Sequence, residues 1–375
     1  MPRDINARLN ALQARRRGTD RLPRVALDAQ GDVLAKSFVP ESYQKRAAGK
    51  TYTRYALGAM QELDTDDTRI SLETAERVGK QLEQAFTAAG NPVEFKLQGS
   101  VPLNVHIRGV SDVDLLTLDS DFFTYASAGP RSQSGLYTNP TAKTSVEVLS
   151  AIRTHAARTL REKYPAADID TSGGKAIKIS GGSLARPVDV VPSHWFDNVR
   201  YQQTLNAHDR GVTILDSKAM QTVDNLPFLH IALVNAMDIE THGGLKKAIR
   251  LAKNVRSDAE HDIALPSFDI AALMYHANKD ALIAGYIYEL NILAEAQRYL
   301  DFLYSNKQYA QTLRTPDGSR CILDSEAKFG AMLSLSVEMD DLLRQVGKEQ
   351  SNLLAREKLP SLNESRAAIG SLYIP

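Results

Sequence analysis

Hydrophobic and polar positions follow two regimes along this chain. From Asp66 to Ala89, Ile70, Ala75, Val78, Leu82 and Phe86 recur at helical spacing, Thr68 or Ser71 can cap, and Gly90-Asn91-Pro92 ends the run. Val93–Leu97 then alternates as a strand, Gly99-Ser100 breaks it, and residues 112–118 read as a second strand. A polar stretch at 125–141, rich in Gly and Ser, predicts a loop, and Ser145–Lys163 a helix closed by Tyr164-Pro165. Lys175–Ile179 and Pro187–Val191, joined by Ser180-Gly181-Gly182-Ser183, predict a hairpin. Beyond about residue 220 the strand signal fades. Helical patterns run through Leu226–Asp238, Gly244–Val255, Ser267–His276, Ala281–Tyr304 and Ser325–Gln345, with a last one near Leu353–Ile369. Residues 1–50 carry only scattered apolar positions (Leu9, Leu12, Val25, Leu27, Phe38, Val39) and read as an irregular arm. The pattern is thus an α/β half followed by an all-helical half.

Composition changes this picture by exclusion. Hydrophobic residues are 43% of the 375 and charged residues 24%, ordinary for globular domains. Lys plus Arg and Asp plus Glu are 45 each, a balance that argues against a protein that coats nucleic acid. Cys321 is the single cysteine, so neither an internal disulfide nor a thiolate metal site is expected, and the chain suits a reducing cytoplasm. No apolar run approaches the ~18 residues of a membrane span. The N-terminal charges, Arg15-Arg16-Arg17 included, have no apolar stretch behind them, so no secretory signal is expected either.

The segment from Gly99 to Leu115 carries the chemistry. Residues two apart on a strand share a face, so Asp112 and Asp114 present two carboxylates together while Val113 and Leu115 face the core. Such a pair repels itself unless a cation intervenes, and hard oxygen donors select Mg²⁺ or Mn²⁺. Gly99-Ser100 offers backbone N–H groups and a hydroxyl where a phosphate can approach closely. Asp189, an acid within the apolar run Pro187–Val191, is costly if buried alone but completes a two-metal site if it faces the other two.

Gly-Ser followed by Ser-Asp-Val-Asp-Leu and a later Val-Asp-Val-Val-Pro resembles the polymerase-β-like nucleotidyltransferases. More narrowly, it resembles the cGAS/DncV-like branch of bacterial cyclic-oligonucleotide synthases in anti-phage defence. The resemblance spans about residues 66–280. It implies an α+β fold, with a nucleotidyltransferase core of mixed sheet, helices on one face and a C-terminal helical lobe. Residues 1–60 would be an arm and helix packing on the body, 61–215 the core, and 216–375 a helical domain closing the nucleotide cleft. It implies that Asp112, Asp114 and Asp189 are catalytic and bind two Mg²⁺ or Mn²⁺ ions, and that Gly99 and Ser100 hold phosphate. Arg250 and Lys253, three apart on one helix face, would hold the donor triphosphate, and Ser267 would touch phosphate. Phe268, where the family often has Tyr, would stack on the donor base.

The implied partners are ribonucleoside triphosphates, ATP among them, and a downstream effector that binds the product. No membrane and no stable nucleic-acid partner are expected. The implied reaction is attack of a ribose hydroxyl on an α-phosphate, with pyrophosphate released and the ring closed to a cyclic di- or trinucleotide second messenger. Transfer to RNA, protein or a small molecule, linear oligonucleotides, and a non-enzymatic sensor are the competing readings. Bland readings stand beside the sharp ones. Asp119 and Asp121 read as a solvated turn. His106 and Arg108 read as a nucleotide contact or a surface loop, and His194 and Trp195 as a buried pair with the histidine satisfied. The arginines at 15–17 and the cluster Lys45, Arg46, Lys50 and Arg54 read as solvated surface.

Overall fold

The computed structural model describes residues 4–19, 41–108 and 111–375. Val25, Leu27, Phe38 and Val39 of the expected arm, and Gly109 and Val110 of the acidic segment, lie outside the described residues. The chain divides into two compact units, one of residues 64–103 and 111–233, the other of residues 1–63, 104–110 and 234–375. Among the described residues no helix is long and apolar enough to cross a membrane.

The first unit is built on a seven-stranded mixed sheet: β1 (Val93–Gln98), β2 (Val113–Tyr125), β3 (Ala167–Asp170), β4 (Ile177–Gly181), β5 (Val188–Asp197), β6 (Gly211–Asp216) and β7 (Gln221–Asn225). The order is β1-β2-β5-β4-β3, with β6 pairing β5 and β7 pairing β6. Only β2 and β5 run parallel, so the chain must cross over between them, and it does so partly through the long helix at Ser145–Lys163. Thr144 caps that helix in a reciprocal box with Glu147. It and the helix Thr65–Ala88 cover one face, where Val78, Leu82, Phe86, Leu149, Ile152 and Leu160 pack on Val113, Leu115, Ile177, Ile179, Val188 and Val190. On the opposite face Leu116, Leu118, Val191, Val212 and Ile214 pack with Trp195 and Phe228.

The structure revises several sequence expectations here. The cap of the first of these helices is Asp64, whose carboxylate accepts from Asp66 N, rather than Thr68 or Ser71. The second strand runs on to Tyr125, because residues 120–122 form a bulge after which pairing with β5 resumes at Phe123. Asp119 stabilises that bulge by accepting from Asp121 N (2.9 Å) and Phe122 N (2.7 Å), so it is a bulge cap within a strand and not a solvated turn. Strands β3, β6 and β7 were not expected. The polar alternation of β7, exposed along most of its length, gives no apolar signal.

The second unit is helical: α1 (Ile5–Arg17), α2 (Thr51–Met60), α3 (Gly244–Ser257), α4 (Ser267–Tyr275), α5 (Asn291–Ser305), α6 (Glu326–Gln350) and α7 (Leu362–Gly370), with shorter turns between. Its centre is α3, in which Leu245, Ala248, Ile249, Leu251, Ala252 and Val255 are completely buried. Part of the expected irregular arm is therefore the helix α1, capped by Asp4 and closed by Gly18 in the left-handed region. The expected helix Ala281–Tyr304 is two, a short one at Lys279–Ala284 and α5.

Arg15, Arg16 and Arg46, expected as solvated surface, are instead ion-paired tethers, whereas Lys45 is exposed as expected. Arg15 pairs with Asp258 and donates to Asn254 (3.1 Å), and Arg16 pairs with Glu41 (2.7 Å). Arg8 pairs with Glu338 (2.5 Å), both sides buried. Arg46 pairs with Glu289 and donates to Ile374 O (2.8 Å).

Candidate active site

Strand register brings the sequence-predicted acids together. Asp114 on β2 stands opposite Asp189 on β5, and on its other side opposite Gln98, the last residue of β1. Asp189 in turn stands opposite Lys178 on β4. These four positions form one row across the sheet. Their strand neighbours Val113, Leu115, Ile177, Ile179, Val188 and Val190 belong to the buried core on the opposite face, so alternation turns the polar row away from it. Asp112, two residues before Asp114, adds a third carboxylate and ion-pairs with Lys178. Arg186, three residues before Asp189, pairs with the buried Asp67 and fixes the entry of β5 against the helix Thr65–Ala88. Neither Lys178 nor Arg186 was singled out by the sequence. The signal for Lys178 was there, since a charged residue between two isoleucines on a strand must point away from their core.

Gly99 and Ser100 sit in the turn that leaves β1. Gly99 has φ +79°, and a Cβ there would collide with the Asp114 carboxylate. Glycine is needed on both counts, so the turn's backbone lies directly beside the acids.

Asp189 is the electrostatically loaded member. Its Oδ1 is buried and has no hydrogen-bond partner among the described residues. Burial first, then the Asp112 carboxylate, push its pKa from 3.8 up to about 6, with Lys178 opposing. An orphaned carboxylate oxygen beside two further carboxylates is a hard-oxygen donor set that fits a divalent cation. Among the described residues no three acids, histidines or cysteines form a ready-made cage, and Asp112 is engaged by Lys178.

The loaded carboxylate predicts a pH-dependent stability. With a folded pKa above its unfolded value, the native state holds the extra proton between about pH 4 and 6. Stability in chelator therefore falls as pH rises through that window and stays lowered above it. Asp189→Asn is expected to raise the melting temperature at pH 7 and to give no gain below pH 4. Thermal melts in EDTA at both pH values check this, and a gain that is larger in acid would contradict it.

The remaining candidates lie in the helical unit. Arg250 and Lys253 on α3 are 7% and 2% exposed, against the solvated face that their charge suggests. The Arg250 guanidinium donates to Met60 O (2.8 Å) and Asn104 O (3.2 Å), and burial pulls its pKa down to about 10. Lys253 Nζ donates to Val105 O (2.6 Å). Both cations thus hold the segment that begins at Asn104 and Val105. His106 in that segment is buried, and Arg108 donates to Arg16 O (3.1 Å), so neither is a surface loop residue. Ser267 begins α4, where its Oγ accepts from Arg256 (3.2 Å). Phe268 is 38% exposed, with the Arg320 guanidinium 5.3 Å from its ring centre. Arg320 is held by the fully buried Asp269, as is Lys328 (3.1 Å). In the sheet unit His194 is buried as expected, with Nδ1 bonded to Trp195 O (2.9 Å), but its Nε2 has no partner among the described residues.

Comparison with known proteins gives this geometry a family. No protein-family profile matches the chain. It is 37% identical over 359 residues to the cyclic dinucleotide synthase CdnE of Yersinia aleksiciae, across 92% of this chain and 93% of that protein. It is 32% identical over 290 residues to a c-di-GMP synthase of Capnocytophaga granulosa, across 72% of this chain and 80% of that one. The solved structure of the STING-associated CdnE c-di-GMP synthase from Capnocytophaga granulosa matches with a TM-score of 0.69 at 25% identity, covering 91% of this chain and 97% of that one. The mixed sheet with its acidic row, carried on a chain related over nearly its whole length to these synthases, belongs to the cGAS/DncV-like nucleotidyltransferases, polymerase-β-like enzymes that make cyclic nucleotide signals.

Proposed function

We propose that this enzyme joins two molecules of GTP into c-di-GMP with release of two pyrophosphates, and that Asp112, Asp114 and Asp189 carry the chemistry. The observation behind the site assignment is the register: Asp114 faces Asp189 across paired strands, and Asp112, just ahead of β2, ion-pairs with Lys178 opposite Asp189. The base assignment rests on relatives named c-di-GMP synthases. The cyclic product would act as a second messenger on a separate effector, in keeping with the STING association named for one structural relative.

The three aspartates would hold Mg²⁺ or Mn²⁺, which when bound neutralises phosphate charge and acidifies the attacking ribose hydroxyl. The turn at Gly99-Ser100 offers its backbone N–H groups to phosphate oxygens, next to Asp114. Asp189, placed by register opposite Asp114, would also help take the proton of the attacking 2′- or 3′-hydroxyl. Phe268 offers a half-exposed ring to a guanine base, backed by Arg320.

Incubation with each α-labelled ribonucleoside triphosphate alone and in pairs, followed by phosphatase and mass spectrometry, tests this reading. GTP alone is expected to yield a phosphatase-resistant product with the mass of c-di-GMP. A product that requires a second nucleotide, or label found on added RNA or protein with no free cyclic product, would overturn it.

A further inference from the structure

The row of carboxylates contains a lysine. Lys178 stands opposite Asp189 in the β4–β5 ladder and ion-pairs with Asp112, a residue 66 positions earlier. Its backbone position is not free to drift, because Ile177 and Ile179 on either side are completely buried in the sheet core. Its side chain is 44% exposed and that of Asp112 28%, so the ammonium lies at the rim of the acidic row, open to solvent and to an incoming anion. Asp189, beside it, keeps a buried oxygen without a hydrogen-bond partner among the described residues. The row therefore carries a carboxylate held by an ammonium, an oxygen without a partner among the described residues, and a cation at its rim.

Taking Asp112, Asp114 and Asp189 as metal ligands, as argued above, we propose that Lys178 is a displaceable internal cation that occupies Asp112 until nucleotide arrives. A divalent ion entering alone must take Asp112 from the ammonium and then sit close to a displaced positive charge, both of which weaken its binding. A triphosphate arriving with the ion gives the ammonium a new anionic partner and removes that penalty. Metal and nucleotide then each raise the other's affinity by the same factor, as linkage requires. An exposed salt bridge alone contributes little, so most of the effect comes from repulsion between the lysine and the ion. Lys178 is on this account a positioning residue, acting through Asp112.

Mn²⁺ binding to the full chain, followed by electron paramagnetic resonance with and without a non-hydrolysable GTP analogue, tests the idea without turnover. Lys178→Met is expected to bind Mn²⁺ alone about tenfold more tightly than the native chain. The extra Mn²⁺ affinity conferred by the analogue should shrink by a similar factor. Lys178→Arg, which keeps the charge, should stay close to native. Equal or weaker Mn²⁺ affinity in Lys178→Met, or an undiminished effect of the analogue, overturns the proposal while leaving the ligand assignment standing. Mn²⁺ binding unchanged in Asp112→Asn overturns the ligand assignment and the proposal together.

Discussion

Asp114→Asn is expected to leave the chain folded and to lower cyclic product formation by at least about 10³-fold, some 4 kcal/mol of barrier. Asp114 is the centre of the row. It faces Asp189 on one side and Gln98 on the other, and the glycine turn lies against its carboxylate. An asparagine keeps the size and one acceptor oxygen but removes the charge that a divalent ion and a triphosphate both need. Stability should not suffer, because gathering like charges costs the folded state rather than supporting it. Labelled-GTP conversion together with a thermal melt checks both halves. Activity within tenfold of native, in a protein that melts normally, would remove Asp114 from the chemistry.

The second large effect is on stability. Arg250→Ala is expected to destabilise the helical unit by roughly 2–4 kcal/mol, because it strips donors from Met60 O and Asn104 O and leaves a gap in a fully packed helix. Lys253→Met should act in the same direction through the loss of its bond to Val105 O. In a unit of this size that corresponds to a melting temperature lower by roughly 4–16 °C. A triphosphate-binding role alone would instead leave the melt unchanged and raise KM for the nucleotide. Denaturant titration alongside KM separates the two roles. An unchanged melt with a raised KM would assign these two residues to the nucleotide alone.

The meeting of the sheet unit's acids was legible in the sequence, for a physical reason. Asp112, Asp114 and Asp189 break apolar strands, and an acid in such a place needs an explanation that only a cation or a partner supplies. The helix Ser145–Lys163 was legible to the residue because both of its ends are written in local chemistry, Thr144 with Glu147 at one and Tyr164-Pro165 at the other. What escaped is what depends on tertiary partners. Helix α1 ends in three arginines and lacks a strong apolar stripe, so its order comes from Asp258, Glu41 and Glu338, residues far away in sequence. Arg250 and Lys253 read only as a shared helix face for the donor triphosphate. Nothing local reveals that backbone carbonyls of Met60, Asn104 and Val105 await them. For Lys178 alternation shows only that it leaves the core, and the strand register is what sets it against Asp189.

The helical unit is assembled from three stretches of chain, residues 1–63, 104–110 and 234–375. During synthesis the first of these leaves the ribosome long before the last exists. Arg8 waits for Glu338, 330 residues later, and Arg46 for Ile374, 328 later. Until then Arg8 lacks its partner, and Leu9, Leu12, Leu57 and Met60 on α1 and α2 lack the later helices of the unit. Such long delays expose a nascent chain to aggregation and call for chaperone shelter. The helical unit can thus close only after the helices Glu326–Gln350 and Leu362–Gly370 have emerged.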